Sequence, residues 1–565
     1  MAAPSLTEFL IETATSAGCR ENVQLRTTLE EAQDKRQPMV DALLDSQLVD
    51  EDRFFETLAH QVSLPFAGAE AGPDEESLHH RFPAKLALRH RILATHVTSM
   101  EATLLTYDPF NLDARQAVGQ ELRKRVHWQI APRHRIMEAL HQGYGVGAEN
   151  FEELLEGRGG EGDTDDLAQE VNVLDAADEE ATVMNFVNQI FREGLKERAT
   201  DIHVEPLEHD LRIRYRIDGK LIEVPVPPNM RLLQASLISR LKIMAHLDIA
   251  ERRLPQDGRI NLELDGDPID VRVATIPSVN GESVALRLLT RKKFDMAGIG
   301  MDADTEATVR RLLAQPNGII LVTGPTGSGK STTLYTFLRE LNTKDRRIVT
   351  IEDPVENKLD GVVQIAVKPE IDLTFAAGLR SILRGDPNVI MVGEMRDQET
   401  VEIAIRGALT GHLVFSTLHT NDAVGGISRL LDMDIEPFMI SSSVRALQAQ
   451  RLVRTLCPHC KTPAQYEASY LKAIEFPPGM EANLFQPVGC RACRNTGFVG
   501  RLAIMEICIM TEGMQEKVNN RATIAELRAQ ALKDKMVPMR KYGFRKATEG
   551  ITTIEEVMNV TATSE

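Results

Sequence analysis

The chain has 565 residues, an apolar fraction of 42% and a formal net charge of -18. That is length enough for three or more domains with buried cores, and the acidic balance argues against a protein that coats nucleic acid. No apolar run approaches the ~20 residues of a membrane span, and the opening Met1-Ala-Ala-Pro-Ser-Leu6 lacks a basic-then-apolar signal pattern, so a cytoplasmic location is expected.

Residues 1–148 read as a separate, mainly helical region. Helical spacing joins Met39, Val40, Leu43 and Leu44, and again Phe54, Phe55 and Leu58, with Asp50 as an acidic helix start between them. Segments 97–100 and 103–107 are candidate paired strands. Nothing here carries catalytic chemistry, which leaves docking or regulation. Residues 149–181 turn acidic and glycine-rich around 159–166, the composition of a self-repelling flexible linker.

Residues 182–292 read as an α+β domain. Val183, Met184, Phe186, Val187, Ile190, Phe191 and Leu195 share one helix face. Strands follow at 201–205, 211–217 and 221–224, the last two joined by a tight Asp218-Gly219 turn. A second helix is expected over 233–249 and further strands over 258–289. Arg259, Arg272 and Arg287 lie on turn-flanked strands. Arginines in such places usually just face water; the alternative is a cationic cover for a phosphate bound elsewhere.

After a short linker at 293–304, residues 305–455 alternate strand and helix in the manner of a RecA-like core. Ile319 to Val322 is a buried strand. It runs into Gly324-Pro325-Thr326-Gly327-Ser328-Gly329-Lys330-Ser331-Thr332, and a helical pattern follows through Leu334, Tyr335, Phe337, Leu338 and Leu341. Strand, glycine loop and helix together make a phosphate site: the glycines let backbone N–H groups converge on an anion at a helix N-terminus. Lys330 would reach the β- and γ-phosphates and Ser331 would ligate Mg²⁺.

Two later strands end in carboxylates. One ends at Glu352-Asp353, with Glu356 just beyond; the other ends at Glu394, with Gly393 where a metal-side aspartate is usual. A third has His412 and His419 at its two ends. Ligands of open α/β sheets bind at the carboxyl ends of strands, so Glu352, Glu394 and His419 should fall beside the phosphate loop. Glu394 is the better candidate for water activation and Glu352 its competitor. Each histidine is also compatible with a plain hydrogen-bonded structural role.

Four of the six cysteines form two C-x-x-C pairs, Cys457/Cys460 and Cys490/Cys493, in segment 456–500. Four thiolates suit a structural Zn²⁺; a redox pair or unmetallated core cysteines are the alternatives. The tail, 501–565, reads as helices, with a capping box at Thr523 and Glu526.

Together these motifs resemble the secretion ATPases that drive type II secretion and type IV pilus extension. The matching stretches are 199–206, 254–259, 324–332, 350–356, 390–397, 410–421 and the cysteine pairs; the resemblance covers residues 182–565 and extends loosely to the N-terminal region. It implies a RecA-like P-loop ATPase core, preceded by a PAS-like α+β domain and a docking domain. It implies a homohexamer that hydrolyses ATP with Mg²⁺ and works on an inner-membrane platform protein and cytoplasmic assembly proteins, in peripheral contact with the membrane and without nucleic acid. In that family Glu352, Asp353 and Glu356 belong to an acidic box, Glu394 to an atypical Walker B in which Gly393 is expected, and His412 to His419 form a histidine box. Arg259, Arg272 and Arg287 match arginines that reach the nucleotide, and the cysteine pairs favour the extension or secretion branch over the retraction branch. Some members bind cyclic di-GMP through an Arg-Leu-Gly-x-x-Leu-Val-x-x-Gly pattern ending in Leu-x-x-Gln. In the corresponding stretch, Leu43, Leu44, Leu58 and Gln61 fit, but Pro38, Val40 and Gln47 replace the arginine and both glycines, so tight cyclic di-GMP binding is not expected. A RecA-like nucleic-acid translocase is the alternative reading; the absence of an aromatic-plus-basic strand-binding stretch weighs against it. A non-hydrolysing ATP-gated scaffold is the third.

Overall fold

The computed structural model describes residues 5–35, 37–46, 48–67, 82–144, 173–226, 230–264, 267–289, 295–478 and 483–562. They fall into two compact units, Met1–Leu288 and Leu289–Glu565.

The first unit contains two hydrophobic cores. One is built from helices Leu6–Ser16, Asn22–Asp34, Met39–Asp45 and Glu51–Gln61, followed by β1 (Leu93–Val97), β2 (Glu101–Thr106) and β3 (Arg125–Ile130). Asp50 caps its helix by accepting from the Arg53 N–H at 3.0 Å, and Leu43, Phe54, Phe55 and Leu58 are fully buried, as their spacing predicts. The expected strand pair exists, but shifted: β1 ends at Val97 and Thr98 turns the chain, its N–H donating to the Glu101 carbonyl at 2.9 Å. Residues 145–172, most of the acidic segment, lie outside the described residues. From Val173 the chain is already helical, through to Lys196, so the expected linker ends before residue 181.

The second core belongs to a six-stranded sheet of β4 (Ala199–Pro206), β5 (Leu211–Ile217), β6 (Lys220–Val224), β7 (Gln256–Leu264), β8 (Asp267–Ser278) and β9 (Gly281–Leu289), in the order β6-β5-β4-β9-β8-β7. Asp218 and Gly219 join β5 to β6 with φ of 49° and 89°, the two-residue turn the sequence signals. Ile202, Val204, Ile213 and Tyr215 pack under helices Val173–Lys196 and Gln234–Met244. The latter helix stops five residues short of the expected 249, because His246 turns left-handed at φ 58°. The opposite face is charged: Arg212 and Arg214 grip Glu205, while Arg216 and Arg287 flank Asp201.

The second unit is built on β10 (Gly318–Thr323), β11 (Ile348–Glu352), β12 (Val363–Ala366), β13 (Val389–Val392), β14 (Leu413–Leu418), β15 (Val444–Leu456) and β18 (Phe498–Ile509); β16 (Thr462–Pro463) and β17 (Phe485–Gln486) pair separately. The order is β12-β11-β13-β14-β10-β15-β18, parallel throughout except for β18, which runs antiparallel to β15. Every residue of β10, β11, β13 and β14 is buried, as in a parallel sheet covered on both faces. One core runs from Met296 to Val557. Two expected divisions are therefore redrawn. Residues 501–509 are not helical: they complete β18, giving the long β15 an antiparallel partner along Ala446–Leu456. Met296, Ile299 and Met301, read as part of a linker, are buried apolar residues of the same core. Among the described residues no helix is long and apolar enough to cross a membrane.

Candidate functional site

The phosphate loop leaves the carboxyl end of β10 and enters helix Lys330–Leu341. Gly324, Gly327 and Gly329 adopt φ of 146°, 79° and 87°, which side chains disfavour. A Cβ on Gly324 would stand 2.5 Å from Ser328 Oγ and 2.7 Å from the Gln450 carbonyl oxygen, so glycine is required there on two counts. Pro325, Thr326 and Gly327 form the exposed tip, Ser328 is buried beneath it, and Ser331 and Thr332 are half-buried on the first turn of the helix. Lys330 folds back over the loop, its Nζ donating to the Gly324 carbonyl at 2.7 Å and the Pro325 carbonyl at 3.1 Å. Burial lowers the Lys330 pKa, the Glu394 and Glu356 carboxylates oppose that, and the Arg451 charge adds to it. The fields of two acidic groups and one further cation thus converge on the lysine.

Glu352 ends β11 and Glu394 follows β13, on the same edge of the sheet as the loop. Their environments differ sharply. Glu352 is buried and takes three donors: Tyr335 Oη donates to Oε2, while Thr350 Oγ1 donates to Oε1 at 2.6 Å and Gln364 Nε2 to the same oxygen at 3.0 Å. Tyr335 in turn accepts from the backbone N–H groups of Glu356 and Asn357 at 3.2 and 3.3 Å, and burial with the Glu352 charge raises its pKa far above the ordinary phenol value. Through Tyr335, Glu352 is tied to the backbone of Glu356 and Asn357. Glu394 makes no such cage. Arg396 pairs with its Oε1, and His419 Nε2 lies 3.5 Å from Oε2. Asp353 is exposed and its field reaches Arg396. Gly393 explains itself sterically: a Cβ there would sit 3.3 Å from Glu352 Cα, so glycine lets the two strand ends lie together.

The structure does not bring His412 to this edge. His412 precedes β14, its backbone carbonyl accepting from the Gly318 N–H at 3.1 Å at the start of β10. Its Nδ1 sits 2.8 Å from the Pro387 carbonyl. A parallel strand of this length separates it from the loop by about 20 Å at roughly 3.3 Å per residue. The expectation that His412 joins the nucleotide-binding set is corrected on that ground, whereas His419 stands at the loop end. Arg259, Arg272 and Arg287 lie on the sheet of the first unit; Arg259 and Arg272 are direct cross-strand partners and Arg287 pairs with Asp201 at 2.9 Å.

The four motif cysteines converge, all Sγ atoms lying within 4.8 Å of one another. Cys457–Cys490, Cys460–Cys493 and Cys490–Cys493 are separated by 3.8, 3.7 and 3.7 Å. A disulfide needs about 2 Å, whereas a tetrahedron with Zn–S bonds of about 2.3 Å has edges of about 3.8 Å. Backbone N–H groups also point at sulfur: Gly489 at Cys460, and Cys490 and Gly497 at Cys493, at 3.3, 3.1 and 3.2 Å. Burial opposes ionisation of Cys493, but those two donors and neighbouring thiols draw it down to about 7. The cluster is compatible with zinc and incompatible with a formed disulfide.

What the carboxyl edge of this sheet offers is a grip for a polyphosphate and, two and three strands over, the Glu394 and Glu352 carboxylates. That places the protein among the P-loop ATPases. Residues 176–559 match the family described as Type II/IV secretion system protein, and residues 62–150 match the MshEN domain. The chain is 40% identical to the type IV pilus assembly ATPase PilB of Myxococcus xanthus, over 96% of this chain and 98% of that one. It is 42% identical to the type II secretion system ATPase E of Vibrio cholerae, over 87% and 99%. Among solved structures the ATPase DotB of Legionella pneumophila aligns with a TM-score of 0.50 at 22% identity, covering 67% of this chain and 95% of that one. The chain belongs to the type II/IV secretion system protein family and is an ATP hydrolase.

Proposed function

We propose that this chain is the motor that powers pseudopilus or type IV pilus assembly, hydrolysing ATP at the loop after β10. The observation that carries the reading is the unequal pair of carboxylates beside that loop, on a chain whose family match spans its ATPase core. Glu394, weakly caged and close enough to act electrostatically on Lys330, activates the attacking water. Glu352, buried with three donors on its two oxygens, holds the acidic box in place. Lys330 and the loop N–H groups bind the phosphates, and Ser331 is the Mg²⁺ ligand; the ion, when bound, neutralises charge on the β- and γ-phosphates. Asp353, Glu356 and His419 line the same site. Arg259, Arg272 and Arg287 supply cationic charge to the transferred phosphoryl group.

The working form is a homohexamer in the cytoplasm, held at the inner membrane through a platform protein and cytoplasmic assembly proteins. The expected result is that ATP turnover rises with the cytoplasmic domain of the platform protein and acidic lipid. Stimulation by single-stranded DNA instead would favour a nucleic-acid translocase and sink the motor reading.

Cys457, Cys460, Cys490 and Cys493 hold a structural Zn²⁺ in this reading, since four protein ligands leave no open position for catalysis. Elemental analysis of freshly purified protein should find about one zinc per chain; none at all would refute the site. Cyclic di-GMP is not a ligand in the proposal. Leu43, Leu44 and Leu58 are buried scaffold, and Gln61 already accepts from Thr13 Oγ1. A calorimetric titration should give no binding tighter than roughly micromolar, a threshold of about -8 kcal/mol.

A further inference from the structure

β15 runs past the end of β10. Their last paired residues are Thr323 and Ala449, so Gln450 and Arg451 continue beneath the phosphate loop. Adjacent residues of a strand point to opposite faces, and these two hold different things. Gln450 is fully buried; its Nε2 donates to the Ser328 carbonyl at 2.8 Å, and its Oε1 accepts from Thr333 Oγ1 at 3.0 Å and from Gln448 Nε2 at 3.1 Å. It thereby clamps the loop and the first turn of the helix that follows. Arg451, only 7% exposed, turns the other way. Its Nη2 donates to both the backbone carbonyl and Oδ1 of Asn421, at 3.0 and 3.2 Å, and its Nη1 to the Gln450 carbonyl at 3.1 Å. Asn421 lies two residues beyond His419, in the turn after β14.

Arg451 is an expensive way to hold a turn. Burial disfavours its charge, and the acids acting on it through space are bonded elsewhere. Glu506 accepts from the first N–H groups of helices Ala423–Asp432 and Met539–Thr548, at 2.9 and 3.0 Å. Asp422 accepts from Arg528 at 2.8 Å and from the Gly425 N–H at 2.6 Å. A neutral side chain would pack there at lower cost, but the planar guanidinium serves three acceptors from two nitrogens at once, Nη2 on both oxygens of Asn421 and Nη1 on the Gln450 carbonyl.

We infer that Gln450 and Arg451 form a two-sided brace setting the spacing between the Lys330 loop and the His419 turn, and that Arg451 is a positioning residue for ATP hydrolysis. The inference rests on the ATPase reading of this site. Phosphoryl transfer depends on placement, and displacement of a positioning contact by about an ångström lowers rate by up to a hundredfold. The brace acts on placement and not on phosphate contact, so kcat should move while nucleotide affinity does not.

The test uses the full chain, with steady-state ATP turnover, equilibrium binding of a fluorescent ATP analogue and a thermal melt. Arg451→Lys keeps the charge and loses the two-nitrogen array that spans Asn421 and the Gln450 carbonyl; kcat should fall about ten- to a hundredfold with Kd within about threefold of the parent. Asn421→Ala removes the Oδ1 acceptor and leaves the backbone carbonyl, so kcat should fall, but less than in Arg451→Lys, and the double variant should be no worse than Arg451→Lys alone, because the arginine change already removes that contact. Asn421→Asp keeps the acceptor and should retain kcat within about threefold, an arm that stays informative even if the arginine variant is unstable. Parent-like kcat in Arg451→Lys, multiplying losses in the double variant, or loss in Asn421→Asp equal to that in Asn421→Ala would each overturn the brace. Lys330→Ala separates the two levels: if the parent turns over ATP and Lys330→Ala does not, the ATPase reading stands whatever the brace variants do. A parent chain with no turnover would take both down.

Discussion

Replacing Glu394 by glutamine is expected to lower ATP turnover by about a hundred- to ten-thousand-fold, the range a positioned general base contributes, with nucleotide binding little changed. Glutamine keeps the shape of the side chain and a carbonyl oxygen for Arg396, but it cannot take a proton. The site is already arranged around this carboxylate: Arg396 holds one oxygen, His419 lies 3.5 Å from the other, and its field opposes the depression of the Lys330 pKa. Glu352→Gln should behave differently. Its carboxylate receives Tyr335 Oη, Thr350 Oγ1 and Gln364 Nε2, so an amide NH₂ would face at least one donor in a buried setting and leave it unsatisfied, a cost of about 1–3 kcal/mol. That variant should lose thermal stability as well as activity. Steady-state turnover at saturating Mg-ATP, with a melt on each protein, separates the two roles. If Glu394→Gln turns over within about threefold of the parent, Glu394 is not the base; if Glu352→Gln alone is inactive at full stability, the base is Glu352.

The difference between these two glutamates was only half legible in the sequence. Each stands after a β-branched run, and strand direction alone puts both at the ligand edge of a parallel sheet. What surrounds them is set by tertiary contact. Tyr335 reads as one more apolar position of the phosphate-loop helix, yet its hydroxyl reaches Glu352 across 17 residues of chain; Gln364 comes from the edge strand β12. The same holds for Gln450 and Arg451, whose motif-free segment reads as the end of a domain until β15 is seen to pass under the loop. It holds too for β18, which pairs with β15 across the whole cysteine segment, a contact no local pattern encodes. His412 is the opposite case. A residue just before a parallel strand belongs to the edge away from the ligand, and the motif that joins it to His419 hid a fact the strand direction already contained. Local features, by contrast, transferred directly: the Asp218-Gly219 turn, the Asp50 cap and the Thr523–Glu526 capping box all depend on neighbours within a few residues.

Lys330→Ala should abolish measurable turnover and also weaken nucleotide binding, which Glu394→Gln should not. The lysine has two jobs. In the proposed mechanism it is the cation that meets the β- and γ-phosphates, and it closes the loop on itself through the Gly324 and Pro325 carbonyls at 2.7 and 3.1 Å. Alanine removes both. It also changes the electrostatic balance of the pocket. The Glu394 and Glu356 carboxylates act on the same point that Lys330 neutralises; without the ammonium they face the incoming polyphosphate with one cation fewer, and Arg396 is already paired with Glu394. Binding should therefore weaken by about tenfold or more, and the deficit should shrink as salt rises, since screening relieves repulsion between the acids and the phosphates. A fluorescent-nucleotide titration at low and high ionic strength reads this directly. Unchanged affinity at both would mean that backbone N–H groups of the loop carry the binding alone, as at an ordinary helix N-terminus. A deficit that does not respond to salt would assign the lysine's contribution to loop shape instead of charge.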